Sequence, residues 1–469
     1  MVSGDGLTAK RALLTVWSEF YQRRSGATSK KASGGPILGE KVNWAYSIPV
    51  GEDLNEQAGQ RSLTISISLA HAVVHCIELT YAALLLRIGV QFGVDKLALG
   101  FIANAFALAF GVGALPSGVL VDRLGSPRVL RVCFLTAAGA ALLVAFSPSP
   151  LVLGVFLTIL GLCIGLYHPA AMSLIAQGAE RRGLVLGYHG MAGNIGIALA
   201  PAIALGFAAT IGWRWSYVFL AGLALAMVVF LQIVRLPAAP ADRPRASATV
   251  TAAMQKTAKV SIAALVLIYM AYLLNGFIYR GSMTFMPTLI EEQVHIHILG
   301  INETALAGSL TTLALLTGGA GQYLGGSLSD RGSLERLATL MALALLPALL
   351  LMGMSGGLLL VGAAAVFVFF NFAGQPVYNI LLANYVPGTA LGRSYGLSFF
   401  ASFGLGSTAA SFSGLLADRW GTSSVFLALA VFGAAVLALA GMLWRLSSQR
   451  PVRGGAVGGT IDRTWEAPG

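Results

Sequence analysis

The chain is poor in charge: only 10% of its 469 residues are Asp, Glu, Lys or Arg, where a soluble domain carries about 25%. That excludes an ordinary water-soluble fold. Cysteine is scarce too. Cys76, Cys133 and Cys163 all lie inside apolar runs, so no disulfide framework is indicated. No GxxxxGK[ST] phosphate loop occurs and no Ser, Cys or carboxylate constellation suggests hydrolysis, so the chain is expected to be neither an ATPase nor another enzyme, and to need no cofactor. Alternating ten-residue segments are missing, which excludes a membrane β-barrel. The first 61 residues lack the continuous apolar core of a secretory signal. The net charge of +11 does not imply nucleic acid, because the basic residues collect in alternate loops.

What the chain does have is apolar surface, at 56% of residues, and 57 glycines. The apolar residues fall in runs of about 20, the length of a membrane-spanning helix. Twelve spans are expected: 62–86, 97–120, 129–147, 151–176, 184–210, 215–235, 260–290, 304–328, 337–354, 358–384, 394–416 and 424–444. The N-terminal tail, the even-numbered loops with the span ends beside them (Arg131 and Arg235), and the C-terminal tail hold 25 of the 30 basic residues. The odd-numbered loops hold only Arg87, Lys96, Arg214 and Arg419, which places both termini in the cytoplasm of a multi-pass inner-membrane protein. The expected organisation is a tail (1–61), a six-helix bundle (62–235), a Pro- and Ala-rich linker (236–259), a second six-helix bundle (260–445) and a short tail (446–469). Within the first tail, Leu13, Val16, Trp17 and Phe20 recur at helical spacing beside basic residues, as in a helix lying on a membrane surface. The external loop from Glu291 to Glu303 holds His295 and His297.

One stretch organises the rest. Gly118–Arg131, GVLVDRLGSPRVLR, sits between two apolar runs and is expected to be a tight polar loop. It returns as GSLSDRGSLER, with Gly326, Leu328, Asp330 and Arg331 at an offset of 208 from Gly118, Leu120, Asp122 and Arg123. Pro169 and Pro376, and Gly187 and Gly396, repeat at nearly the same offset, so the chain reads as a duplication. The motif resembles the signature loop of the major facilitator superfamily of transporters, over roughly Ser62 to Arg445. That resemblance implies an all-α fold of two pseudo-symmetric six-helix bundles and alternating access. It also implies that the two loops latch a gate, through Gly118, Asp122, Arg123, Asp330 and Arg331. LYHPAAMSL, the run from Tyr279 to Pro287 and the Gly190, Gly193, Gly196 series look like a branch that includes fosmidomycin-resistance-type exporters, which implies efflux.

Within the spans, apart from Arg131 and Arg235 at span ends, Glu78 is the only acid and Arg280 the only base, and an ionisable group in hydrocarbon is costly unless it has a partner or a wet cavity. His71, His75 and Glu78 are spaced to share one helix face, and such a row can take up and release protons. The expected coupling set is therefore Glu78, His71 and His75, with Arg280 as counter-charge. The same spacing suits a metal, with Glu78 or His168 completing a site. The resemblance implies a central cavity between spans one, four, seven and ten. Those spans contribute His168, Tyr279, Asn371, Gln375, Tyr378 and Asn379 beside the row. Gly281 and Pro287 are expected to break the seventh helix and free backbone groups to line a site. The function expected is secondary, proton-coupled transport of a small molecule by a monomer in a lipid bilayer. The alternatives are transport of a divalent metal or its complex, and a non-transporting sensor on the same fold.

Overall fold

A computed structural model describes residues 50–234, 236, 262–294 and 303–448. The expectations for the first tail up to residue 49, most of the linker, the His295/His297 loop and residues 449–469 lie outside them. The described residues form twelve long helical segments and no strand. They are α1 (Val50–Phe92), α2 (Lys96–Leu124), α3 (Ser126–Ala145), α4 (Pro150–Gly178), α5 (Arg182–Thr210), α6 (Arg214–Ile233), α7 (Ile262–Gln293), α8 (Glu303–Ser329), α9 (Leu334–Met354), α10 (Gly357–Tyr385), α11 (Gly388–Trp420) and α12 (Thr422–Ser448). Segments α1–α6 and α7–α12 are the two six-helix bundles.

Eleven of the segments are long and apolar enough to cross a membrane. The exception is the 27-residue α8, whose low hydropathy has a packing cause. A Cβ at Gly321 would meet the Phe369 carbonyl, one at Gly325 the Ala373 carbonyl and one at Gly326 the Gly183 carbonyl, so α8 is wedged between α10 and α5 through its small residues. Elsewhere the outward faces are apolar: Leu135, Val155, Val229 and Val431 are exposed, as lipid-facing residues are.

Several boundaries differ from the sequence expectation. Helix α1 begins at Val50, twelve residues early, and it is docked there: the Gln60 amide donates to the Gly178 carbonyl (3.0 Å) and accepts from the Glu180 N–H (3.2 Å). The stretch Gly118–Arg131 is not a loop. Residues 118–124 finish α2 and residues 126–131 begin α3, with Gly125 alone between them at φ +81°, a conformation that favours glycine. Its second copy does turn, over residues 330–333, until Ser333 accepts from the Arg336 N–H and starts α9.

The irregular helices are also not where expected. Helix α7 runs unbroken for 32 residues through Gly281 and Pro287. Gly281 serves packing, since a Cβ there would meet Ser413 Oγ at 2.8 Å. The breaks lie in α4 and α11 instead. In α4 the helix stops at Gly165 and restarts at Tyr167. Pro169 has no N–H and its ring excludes the carbonyl four residues back, that of Gly165. In α11 an α-helical stretch (Leu391–Phe399) gives way to a π turn (Phe400–Gly404) and a 3-10 turn (Leu405–Thr408) before Ala409–Trp420 resumes. Single π turns are frequent at functional sites.

Candidate functional site

The two motif copies come first, because they close one end of the molecule. Asp122 accepts from the backbone N–H groups of Gly392 (2.8 Å) and Arg393 (3.2 Å) at the start of the helical part of α11, and from the Arg393 side chain (2.8 Å). Asp330 does the same at the start of α5, accepting from the N–H of Gly183 (2.8 Å) and Leu184 (3.0 Å). Each carboxylate thus caps a helix N-terminus in the opposite bundle, where the free N–H groups and the helix dipole favour an anion. The motif glycines make the approach possible: a Cβ on Gly118 would strike the Gly392 carbonyl. Arg123 and Arg331, expected to share in the latch, are exposed, and their side chains make no hydrogen bond or ion pair among the described residues. The basic partner of Asp122 is Arg393.

Beyond this closed end the bundles enclose a cavity of about 140 Å³. His71 and His75 from α1, His168 from α4, Tyr279 from α7, and Asn371, Gln375, Tyr378 and Asn379 from α10 all line it. Glu78 and Arg280 do not. Successive helical residues differ by about 100°, so the turn of α7 that puts Tyr279 on the wall carries Arg280 off it. Arg280 acts electrostatically on Glu78, but the group bonded to the carboxylate is His75.

Bonding in the row is continuous. His75 Nδ1 lies 2.6 Å from Glu78 Oε2, His75 Nε2 lies 2.9 Å from His71 Nε2, and His71 Nδ1 donates to the His189 carbonyl at 2.7 Å. A carbonyl can only accept, so the hydrogen of a neutral His71 is on Nδ1 and its Nε2 is a bare acceptor. His75 Nε2 must then donate. Either His75 is an imidazolium that also donates to ionised Glu78, or Glu78 is protonated and donates to Nδ1 of a neutral His75. If His71 is the imidazolium the count is the same. In every case the row Glu78–His75–His71 holds one proton beyond those of an ionised acid and two neutral rings.

Around it are packed the other two cavity histidines. His189 stacks on His71 with ring centroids 3.7 Å apart, and His168 stacks on Phe399 at 4.7 Å. His71, His75 and His168 also present ring nitrogens within 4.8 Å of one another, close enough to hold one metal ion. Of the two expected completions of a metal site, Glu78 or His168, this grouping contains His168, while Oε2 of Glu78 lies 2.6 Å from His75 Nδ1.

The expected residues omitted part of the wall. His189, Asn194, Tyr272, Asn275, Gln322 and Ser402 line it as well. Tyr272 donates to Asn379 Oδ1 (2.9 Å), the Gln322 amide donates to Gln375 Oε1 (2.8 Å), and Ser402 in the π turn donates to the Tyr272 carbonyl (2.9 Å). Asn194, Asn275 and Gln322 are amides inside apolar runs, and that signal alone marks them. The Gly190, Gly193, Gly196 series has a local meaning here: a Cβ would meet Gln322 at the first, the His71 ring at the second and the Ala72 backbone at the third.

Comparison with known proteins agrees with this architecture. The chain is 26% identical over 279 residues to a probable sulfoacetate transporter, SauU, of Cupriavidus necator, covering 55% of this chain and 62% of that one. It is 28% identical over 153 residues to the multidrug resistance protein MdtG of Klebsiella pneumoniae, covering 31% and 37%. The matched stretch therefore spans less than two thirds of either relative. Among solved structures, the proton:xylose symporter XylE superposes with a TM-score of 0.69 at 16% identity, over 83% of this chain and 96% of that one. The sequence pattern described as Major Facilitator Superfamily matches residues 67–411, and again 268–460. The chain is an integral membrane protein that belongs to the Major Facilitator Superfamily.

Proposed function

We propose that the protein is a proton-coupled secondary transporter of a small molecule. In this reading the bundles formed by residues 62–235 and 260–445 rock about the central cavity, with both termini in the cytoplasm. The observation that carries the coupling is the hydrogen-bond inventory of Glu78, His75 and His71, which has room for one labile proton at the edge of the cavity. Arg280 is the counter-charge that acts electrostatically on Glu78 from α7. The Asp122 and Asp330 caps would hold the cytoplasmic side closed in the state that loads from outside.

The relatives divide in what their names say they carry. One is a probable transporter of an organic acid and the other a drug-resistance protein. Export is the proposed direction, supported by the likeness to the latter. The test is solute movement in sealed vesicles under an imposed pH gradient, scored in both directions. Accumulation that collapses on adding a proton conductor, and ignores a sodium gradient, is expected. Flux that follows sodium, or neither ion, removes the coupling. The metal alternative is favoured by the three imidazole nitrogens within 4.8 Å of one another. It predicts flux of a divalent ion that is lost in His168→Ala, while the proton reading predicts none. A sensor on the same fold would bind its ligand without any flux.

A further inference from the structure

The cavity wall has a chemical bias. Among the described residues, no Asp, Glu, Lys or Arg side chain reaches it. Ten buried side-chain polar atoms among the described residues keep an unfilled hydrogen-bonding position, and four of these lie on this wall: His168 Nε2, Asn194 Nδ2, Asn371 Nδ2 and Tyr378 Oη, the last with Asn275 beside its oxygen but no acceptor for its own hydrogen. The other six are hydroxyls elsewhere. An amide nitrogen can only donate, and a tyrosine hydroxyl donates readily. Unpaired buried donors are costly, and here they come from both bundles, Asn194 from α5 and Asn371 and Tyr378 from α10, while His168 Nε2 donates or accepts according to its tautomer. A ligand that suits them must bring acceptor oxygens.

Charge narrows the class further. A cationic ligand would find no acid on the wall, since Glu78 lies off it and is bonded to His75. Off the wall, Glu78 and Arg280 both act electrostatically on Tyr279, with opposite sign and Glu78 the more strongly, and the Glu78 carboxylate is met by His75. The rest of the wall is apolar, with an aromatic part that includes Tyr272, Phe399 and Phe403.

We propose that this cavity takes a small organic anion, a carboxylate or sulfonate on a flat apolar body. Its oxygens accept from Asn194, Asn371 and Tyr378, and its body lies against the aromatic wall. The inference rests on the transport reading only in taking this cavity as the solute site. The test is thermal melting and binding titration of the full-length protein in detergent with phenylacetate, phenylacetamide and phenylethylamine, which share a ring and differ in charge. Phenylacetate is expected to raise the melting temperature and to bind about tenfold or more tighter than the amide, as a hydrogen bond to a charged group does. The amine should give no shift. Asn194→Leu and Asn371→Leu should each weaken phenylacetate about tenfold. If those variants do not fold, the charge series on the unaltered protein decides alone. A shift by the amine as large as that by phenylacetate, an equal response to all three, or a response to none overturns the proposal. Binding is scored without a gradient, so phenylacetate binding in a protein whose flux ignores pH leaves this inference standing and removes the coupling. Proton-driven flux of a cation does the reverse.

Discussion

A carboxylate in a membrane span is tolerable only if its environment is specific, and for Glu78 that environment is one imidazole at 2.6 Å. Two substitutions separate its roles. Glu78→Gln keeps a donor facing His75 Nδ1 and so preserves the row's bonding, and it should melt within about 1 kcal/mol of the parent by denaturation. Gradient-driven accumulation should vanish while downhill solute exchange survives. His75→Leu instead strips the carboxylate of its bonded partner and should cost about 1–3 kcal/mol, read as a lower melting temperature. If Glu78→Gln costs as much as His75→Leu, the row is a structural prop. At this scale the sequence was informative: the spacing of His71, His75 and Glu78 was enough to put them on one face. The role of Arg280 was not legible, because a count of residues gives depth along a helix but not the direction of the side chain. Nor was the neighbour of His71, since His189 is 118 residues away and meets it only through the packing of α5 on α1.

At the scale of the element, the cavity is shaped by helices that come unusually close or bend. Helix α5 approaches α1 through Gly193, where a Cβ would lie 2.5 Å from the His71 ring. Gly193→Ala should therefore displace that ring and cost about 1–3 kcal/mol. Gly206→Ala in the same helix, with nothing within 4 Å of the added atom, should be nearly neutral. Parallel thermal melts of the two variants check this, and equal stabilities would remove the claim that α5 is glycine-rich in order to seat His71. The bend in α4 was foreseeable from Pro169. The break expected at Gly281 and Pro287 did not occur, because a proline near a helix end forfeits few bonds and its neighbours can satisfy the freed carbonyl. The π turn of α11 left no sequence signal, since it depends on how Phe399 and Phe403 stack with His168 and on the contact between Gly404 and Gly111.

For the whole molecule, the duplication written in the sequence becomes a pair of matched helix caps. Asp122 caps α11 and Asp330 caps α5, each across the bundle interface. The guanidinium of Arg393 adds little to the first, being 62% exposed. The backbone N–H bonds to each carboxylate are the substantial part, at about 1.5–3 kcal/mol for a charge-assisted contact. Replacing both aspartates with asparagine should shift the balance of states toward opening on that side, as losses of a few kcal/mol do. Alkylation of a cysteine placed at Ser402, applied from that side, should speed up about tenfold or more while the melting temperature changes little.

The account as a whole stands on one proton moving with each solute. Its most direct measurement is internal pH in proteoliposomes, followed with an entrapped dye as solute is added, for the parent protein and for Glu78→Gln. The account predicts a pH change in the parent that scales with solute moved, and none in Glu78→Gln although labelled solute still exchanges. An unaltered pH change in Glu78→Gln, or none in a parent protein that transports, would contradict it.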